Sequence, residues 1–271
     1  MQSVNRTRPR PEIMLQSQLA QNIADRQQQI ATRRRIDRAS EDPAAWSQIS
    51  NIAKVQADMG AWLRNIDRGL AIAAQADGAM AEINTQLART TELLVQASND
   101  TLALVDRETI AQEIENIAGT IADILDQDNG FGRPLFRVGL PLKMPVDDNI
   151  TVITAPSRDG FNGLAPLLAD IVNMIRTGDA NQRSALLDPL QLQSNIAANI
   201  LGNHGIETDR LLQGAARLED RQIDVSEYRA SLEETDLTQA ITETQKLLIS
   251  LEAAQAAYAR IEQTSFFDLL R

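Results

Sequence analysis

Apolar residues recur three and four positions apart over most of this chain, which is the spacing of one face of an α-helix. The pattern is most regular in the last stretch, Leu237 to Leu270, which contains neither Pro nor Gly. Its gaps alternate between four and three, as in a helix that packs lengthwise along another helix. The positions of this terminal seam are Ala240, Thr244, Leu247, Leu251, Ala254, Tyr258 and Ile261.

The terminal helix carries more apolar surface than one neighbouring helix can cover. Leu237, Ile241 and Leu248 lie beside the seam and widen it. The stretch then closes on apolar residues, Phe266 and Phe267 among them, although chain ends usually fray in water. We therefore expect this helix to be covered by the N-terminal helix, by other subunits, or by both.

A first helix is predicted from Met14 to about Arg35, with a sparse apolar line and many glutamines. Such a helix buries too little apolar surface to be stable in isolation, so we expect it to pair with the C-terminal helix. The predicted assembly seam takes residues from both helices: Leu19, Ile23, Ile30, Leu247, Leu251, Tyr258, Ile261 and Leu269.

The longest periodic stretch runs from Ala44 to Ala97 and follows Asp42-Pro43, a typical helix start. At 1.5 Å per residue a helix of this length would span ~80 Å, which predicts a rod. Its seam residues are Ile49, Ile52, Met59, Leu63, Ile66, Leu70, Ala73, Met80, Leu87 and Leu94. Because a helical Gly is unfavourable by about 1 kcal/mol relative to Ala, we expect Gly60, Gly69 and Gly78 to mark close contacts or slight bends.

A third helix is predicted to begin at Asp106, after the turn Ser98–Thr101, and to fold back antiparallel on the rod. Its seam consists of isoleucines spaced four and three apart: Ile110, Ile114, Ile117, Ile121 and Ile124. Residues 130–166 break the helical pattern, since they hold five of the 13 Gly and five of the nine Pro. We predict strands at Leu135–Val138 and Ile150–Thr154 and a turn at Gly160–Gly163.

The chain then returns through helices. A short helix carries Leu167, Leu168, Ile171, Val172 and Ile175 and stops at Thr177-Gly178-Asp179, and a long one opens at Asp188-Pro189 and continues toward Leu232. The predicted fold class is therefore mainly α, an elongated antiparallel helical bundle or coiled-coil rod with a small β-containing insert.

Composition favours this fold and excludes several chemistries. Aromatic residues make up only 3% of the chain against 43% hydrophobic residues, which suits closely packed long helices. There is no Cys and one His, so disulfides, thiolate sites and His-pair zinc sites are excluded. His204 lacks a local catalytic motif and is interpreted as a surface or packing residue, and Asp147-Asp148 as solvated turn residues. We expect no metal, no cofactor and no enzymatic activity.

The net charge of −11 argues against a nucleic-acid partner, because binding a polyanion needs a concentrated basic surface. Arg33-Arg34-Arg35 and Arg38 are therefore interpreted as part of a solvated connector between helices. No run of 18 apolar residues is present, so no membrane association is expected. The polar stretch Met1–Pro11 has no apolar region typical of a secretory signal.

Several motifs, in order along the chain, resemble the bacterial flagellin superfamily, and most of all its flagellin-like hook-associated members at the hook–filament junction. They are Gln29–Thr32 with Arg35–Ala45, Leu87–Asn99, Asp106-Arg107 with Ala111–Ile114, and Asp236–Ala240. The family usually has Gly-Lys or Gly-Arg where this chain has Arg33-Arg34. The ending Thr264–Leu270 is similar to that of the junction proteins. The central insert is small for either kind of protein, so a minor flagellin remains the alternative.

The resemblance implies a structural subunit of the flagellum, joining hook to filament outside the cell after export by the flagellar type III apparatus. Its expected partners are other copies of itself, flagellin or other hook-associated proteins, and an export chaperone. The implied segments are 1–42 for export and the inner tube, 43–129 for the rod, 130–166 for the insert, 167–235 for the returning rod and 236–271 for the inner-tube helix.

In flagellins, a matching stretch of the rod lies on a contact between subunits that an animal immune receptor also reads. The resemblance places Arg89, Glu92, Leu93 and Glu113 on that contact. Ala88 and Thr91 depart from the flagellin pattern of Gln and Arg, which argues against recognition by the receptor. A cytosolic coiled-coil scaffold is a competing class, but it would not explain the apolar C-terminal residues.

Overall fold

The computed structural model describes the backbone of residues 11–268 and the side chains of residues 13–260. Long helices dominate the described residues, and the predicted fold class, a mainly α bundle with a small β-containing insert, is confirmed. The helices are α1 (Pro11–Thr32), α2 (Pro43–Ala97), α3 (Leu104–Asp126), α4 (Leu164–Thr177), α5 (Ala180–Ser184), α6 (Leu187–Glu233) and α7 (Leu237–Asp268). The strands are β1 (Leu142–Asp147) and β2 (Ile150–Ala155), followed by a 3-10 helix at Arg158–Phe161.

The chain divides into two compact units. The terminal unit takes Met1–Gln56 and Ile223–Arg271, and the central unit takes Ala57–Gln222. The terminal unit therefore contains α1, the start of α2, the end of α6 and α7. The central unit contains the rest of α2 and α6 together with α3, the two strands, α4 and α5.

The core of the central unit follows the predicted helix seams. On α2 the buried seam residues are Met59, Ile66, Ala73, Met80, Leu87 and Leu94. On α3, Ile110, Ile114, Ile117 and Ile121 are buried as predicted, whereas Leu125 and not Ile124 takes the last buried position. The core also includes the apolar face of α4, which packs against α3.

The β-structure is a single antiparallel hairpin, in which Met144 pairs with Val152 and Pro145 with Thr151. The predicted strand at Ile150–Thr154 is confirmed as β2, but the one at Leu135–Val138 is wrong. Leu135 and its neighbour Phe136 are both buried, so this segment lacks the alternation of a strand with one buried face.

Strand β1 was missed because it contains Pro145, and proline has no N–H for a ladder. In a two-stranded hairpin each strand has an unpaired edge, so a proline there is tolerated. The predicted turn at Gly160–Gly163 instead begins as the 3-10 helix, which Ser157 caps by accepting from the Asp159 N–H. Phe161 packs edge-on against Phe136, with ring centroids 5.8 Å apart.

His204 is a buried packing residue, one of the two roles predicted for it. Its imidazole Nε2 lies 2.9 Å from the Ala73 carbonyl oxygen, to which it donates as the Nε2–H tautomer. The bond joins α6 to α2 within the central unit.

The prediction missed a second buried polar side chain, Arg183 of α5. Asp179 and Gln182 form a capping box that starts this short helix. Arg183 then donates from Nη1 to the Gly178 carbonyl at 2.6 Å and from Nη2 to Asp100 at 3.4 Å. The turn after α4 is thus tied to the turn after α2.

The three glycines singled out in α2 have different surroundings. A Cβ on Gly69 would stand 3.1 Å from Thr154 Cγ2 and 3.6 Å from Leu211, so Gly69 marks a close contact with β2 and α6. A Cβ on Gly60 would meet only the flexible end of Arg64, and one on Gly78 would meet nothing within 4 Å. The expectation of a close contact is confirmed for Gly69 only.

Replacing Gly78 with Ala should raise the free energy of unfolding by about 1 kcal/mol, because Ala restricts the unfolded chain and meets no neighbour. Thermal unfolding followed by circular dichroism should show a gain of roughly 2–4 °C. Gly69→Ala is the matched control and should give no gain, since its methyl group would crowd Thr154. Equal gains at the two positions would contradict this account of Gly69.

Candidate assembly surfaces

The first candidate surface is formed by α1 and α7, which pack against each other in the terminal unit. The backbones of Arg34 and Glu234 form an isolated antiparallel β-bridge, and Arg26 Nη2 lies 3.1 Å from Glu243 Oε2. Because residue 34 lies level with 234 and residue 26 with 243, the two helices run antiparallel. The expectation that the N-terminal helix pairs with the C-terminal helix is confirmed.

The predicted assembly seam lies mostly on the covered side of this pair. Ile23 is buried, as are Ala240 and Thr244 on the same line of α7. The remaining described seam residues are half-buried: Leu19, Ile30, Leu247, Leu251 and Tyr258. The side chain of Ile261 and all of Leu269 lie outside the described residues.

Two of the three residues that widen the terminal seam are left uncovered, whereas the third, Leu237, is half-buried. Ile241 is 46% exposed and Leu248 is 41% exposed, and Ile249 is 66% exposed. At about 100° per residue, Ile241 and Leu248 lie on one flank of the seam and Ile249 on the side opposite it. Large apolar side chains are thus exposed around α7, on a part of the helix that α1 does not cover.

A groove between α1 and α7 is lined mainly by polar side chains. It has a volume of about 590 Å³ and is bordered by Asn22, Asp25, Arg26, Gln29, Glu243, Lys246 and Leu247. Leu247 is the only apolar member of this lining set. The pair therefore buries little apolar surface for its length, and such helices depend on further packing for stability.

The predicted connector between α1 and α2 pairs with the segment between α6 and α7. Arg35 N–H donates to the Glu233 carbonyl at 2.7 Å, and Thr235 N–H donates to the Arg33 carbonyl at 3.1 Å. Next to this connector in the sequence, Ile36, Ala45 and Ile49 form a small buried cluster. Helix α1 stops at Thr32, three residues before the predicted end, because Arg33 adopts a left-handed conformation with φ of 58°.

The second candidate surface is the charged cluster on α2 and α3. Arg89 donates from Nε to Glu113 at 2.9 Å and from Nη1 to Glu92 at 3.2 Å. The hydrogen bond with Glu113, and then that with Glu92, raises the pKa of the Arg89 guanidinium above its ordinary value. Arg89, Glu92 and Glu113 are thus brought together at the surface, as the resemblance implied.

Leu93 does not share that surface. Only 2% of it is exposed, and it belongs to the core cluster of the central unit. Its side chain is thus unavailable to a neighbouring subunit in this conformation. The exposed apolar residue in this region is Val95, which borders a groove of about 600 Å³ together with Asn84, Ala88, Thr91, Glu92, Gln191 and Ser194.

In the part of the chain that the structure describes, no group of three His, Cys, Asp or Glu side chains is arranged to hold a metal ion. No helix in the same part is both long and apolar enough to cross a membrane.

Comparison with known proteins shows which proteins this chain resembles. Residues 13–138 match the family model of the bacterial flagellin N-terminal helical region. A flagellin of Salmonella choleraesuis is 26% identical over 195 residues, which make up 65% of this chain and 37% of that flagellin. The chain spans about a third of the length of the curated relatives it matches.

Solved structures share the fold. A flagellar hook-associated protein of Vibrio parahaemolyticus superposes with a TM-score of 0.65 at 12% identity, covering 72% of this chain and all of that one. FlgL of Bacillus cereus superposes with a TM-score of 0.59 at 15% identity, covering 66% of this chain and 98% of that one.

The fold is therefore that of the helical structural proteins of the bacterial flagellum. Over residues 13–138 the chain carries the N-terminal helical region of the bacterial flagellins, and the predicted resemblance to the flagellin superfamily is confirmed. The predicted location in the flagellum, an extracellular appendage, is confirmed with it.

Proposed function

We propose that this protein is a structural subunit that joins the hook to the filament of the bacterial flagellum by packing with copies of itself and with other flagellar proteins. The observation that carries the proposal is the uncovered apolar surface of α7. Ile241, Leu248 and Ile249 are large and exposed, although residues of this kind are strongly favoured in a buried environment. Large contiguous apolar patches on a folded protein mark sites of interaction.

Neighbouring subunits supply the missing cover in this proposal. The α1–α7 pair, held together partly by the polar Arg26–Glu243 contact, is completed when adjacent copies pack against the free flank of α7. In such a contact the free flank of α7 on one copy packs against a different surface of the next copy. The contact is therefore heterologous and generates an open helix of subunits. Arg89, Glu92 and Glu113 form a second contact between subunits, as the resemblance implies.

The partners follow from the same assembly. They are other copies of this chain, flagellin or other hook-associated proteins at its two axial ends, and a chaperone during export by the flagellar type III apparatus. The acidic net charge of −11 supports the absence of nucleic acid from this set. Catalysis is not part of the proposed role.

A minor flagellin is the second candidate, and the comparisons supply a specific reason to keep it. The curated relative described above is a flagellin, whereas the solved structures described are a flagellar hook-associated protein and FlgL. The small insert, whose sheet consists only of β1 and β2 in the described chain, favours the junction role. An adaptor between two assemblies needs no bulky outer domain.

Deletion of the gene distinguishes the two candidates. We expect the mutant cells to retain hooks but to lack filaments, with flagellin released into the culture medium, because no subunit would join one assembly to the other. Electron microscopy of the cells and immunoblots of the medium measure both effects. Filaments of normal length in the deletion strain would instead support the minor-flagellin candidate.

A further inference from the structure

The connector between α1 and α2 presents a group of unpaired cations, here named the basic corner and formed by Arg33, Arg34 and Arg38. All three are exposed. Among the described residues, none of their guanidinium groups takes part in an ion pair or hydrogen bond, whereas the nearby Arg35 lies 3.7 Å from Asp42 and donates to the Leu232 carbonyl. The positive charge of the corner is therefore not neutralised by any ion pair within the described part of the subunit.

The backbone at this corner is strained as well. Arg33 has a φ of 58°, a left-handed conformation that is unfavourable for any residue with a Cβ and that glycine adopts freely. Strain of this kind persists only where the surrounding structure enforces it, and strained residues cluster at functional sites. Since the Arg33 side chain has no partner within the described subunit, it is available to contact another molecule.

A complementary acidic surface lies on α6 of the same unit, here named the acidic strip and formed by Asp224 and Glu227. These residues are three positions apart and so lie on one face of the helix. Both are exposed, and neither pairs with a cation in the described chain. By contrast, Ser226 and Arg229 on another face hydrogen-bond to Gln56.

The neighbours of the acidic strip suit an arginine partner. Tyr228 is 53% exposed and Ile223 is 59% exposed, so the strip combines carboxylates with an aromatic ring and an aliphatic side chain. An arginine fork binds a carboxylate and stacks on an aromatic face at the same time, which a lysine does less well. The basic corner consists only of arginines.

We propose that the basic corner of one copy binds the acidic strip of a second copy. The proposal rests on the subunit role proposed above. Both patches belong to the terminal unit and remain unpaired within it, so each is free to contact a neighbour. Two different patches that complement each other form a heterologous contact, the kind that extends along a helical assembly. An acidic surface of another flagellar protein is the other possible occupant, and the test separates the two.

The absence of cysteine from the sequence makes a direct cross-linking test possible. Two tagged copies, one with Arg34→Cys and one with Glu227→Cys, are expressed together, and the sheared flagella are treated with a short bis-maleimide. We expect a mixed dimer that carries both tags. The matched control replaces Glu227→Cys by Ser50→Cys, an exposed position of the same unit, and should give no mixed dimer.

Charge reversal tests the same contact by function. Arg34→Glu should lower incorporation into flagella by about tenfold, as expected for like charges placed opposite each other, and Glu227→Arg in the same chain should restore it. As a control, each purified variant should unfold at the same temperature as the parent, which would show that its folding is intact. Failure of the second change to restore incorporation would overturn the pairing.

The outcomes separate this contact from the proposed function. Protein present in flagella without the mixed dimer would overturn the contact and leave the subunit role standing. A cross-link from Arg34→Cys to a protein of different size would show that another flagellar protein, and not a second copy of this chain, binds the basic corner. Absence of the protein from flagella would overturn the subunit role and this contact together.

Discussion

Replacement of Leu248 by Asp is expected to abolish incorporation of the protein into flagella while leaving the folded monomer almost unchanged. Leu248 lies on the uncovered flank of α7 and is 41% exposed, so a carboxylate there stays hydrated in the free subunit. Once a neighbour covers the flank, the same carboxylate is buried without a partner, which costs several kcal/mol. A penalty of about 3 kcal/mol lowers the association constant more than about 100-fold.

The measurement compares the amount of protein in sheared flagella with the unfolding temperature of the purified monomer. Ser250→Asp is the matched control, because Ser250 is exposed and polar on the other flank of α7 and should tolerate the charge. Leu251→Asp should lower both assembly and monomer stability, since Leu251 is half-buried on the seam with α1. A Leu248→Asp variant that assembles normally would remove the main support for the proposed function.

Replacement of Ile114 by Ala should cause the largest loss of stability among these changes. Ile114 is fully buried on α3, in the core of the central unit, and its truncation leaves a cavity. Such truncations cost roughly 2–5 kcal/mol, which corresponds to a fall in unfolding temperature of roughly 2–4 °C per kcal/mol in a protein of this size.

Ile124 on the same helix provides the control, since it belongs to the same predicted seam but is only half-buried. Ile124→Ala should cost less than about 1.5 kcal/mol. The fluorescence of Trp62 reports the central unit when Trp46, in the terminal unit, is replaced by Phe. If both variants lost the same free energy of unfolding, Ile124 would belong to the core as the periodic pattern predicts, and its observed partial exposure would not describe its role.

The long helices were predictable because their signal is repeated over many turns. The isoleucines of α3 and the seam of α2 each repeat the same face over several turns. Half-buried exceptions such as Leu63, Leu70 and Ile124 do not alter the assignment. The insert offers no such repetition. Strand β1 is short and contains Pro145, and the buried pair Leu135-Phe136 has the composition of a strand without its alternation.

The candidate surface was predictable in part. The excess width of the terminal seam identified Ile241 and Leu248 as apolar residues that one partner could not cover, and they are exposed. The burial of Leu93 and Arg183 could not be predicted from the helix pattern, because it depends on tertiary packing. Leu93 is buried in the core cluster of the central unit, and Arg183 contacts Asp100, which is 83 positions away in the sequence.

The left-handed turn at Arg33 also escaped prediction. The sequence places three arginines at the end of α1, and none of them is a residue that normally stops a helix. The departure from the Gly-Lys or Gly-Arg pair expected by resemblance was visible, but its structural meaning required the backbone conformation. Arg33 occupies a position whose φ of 58° favours glycine.

The central claim is that neighbouring subunits cover the free flank of α7 in the flagellum. Maleimide labelling of a Leu248→Cys variant measures this cover directly, since the sequence supplies no other thiol. We predict rapid labelling of the purified protein, labelling slowed at least about 100-fold in intact flagella, as expected for a well-packed interface, and recovery once the flagella are depolymerised. Equal labelling rates for the purified protein and for the protein within intact flagella would contradict the claim.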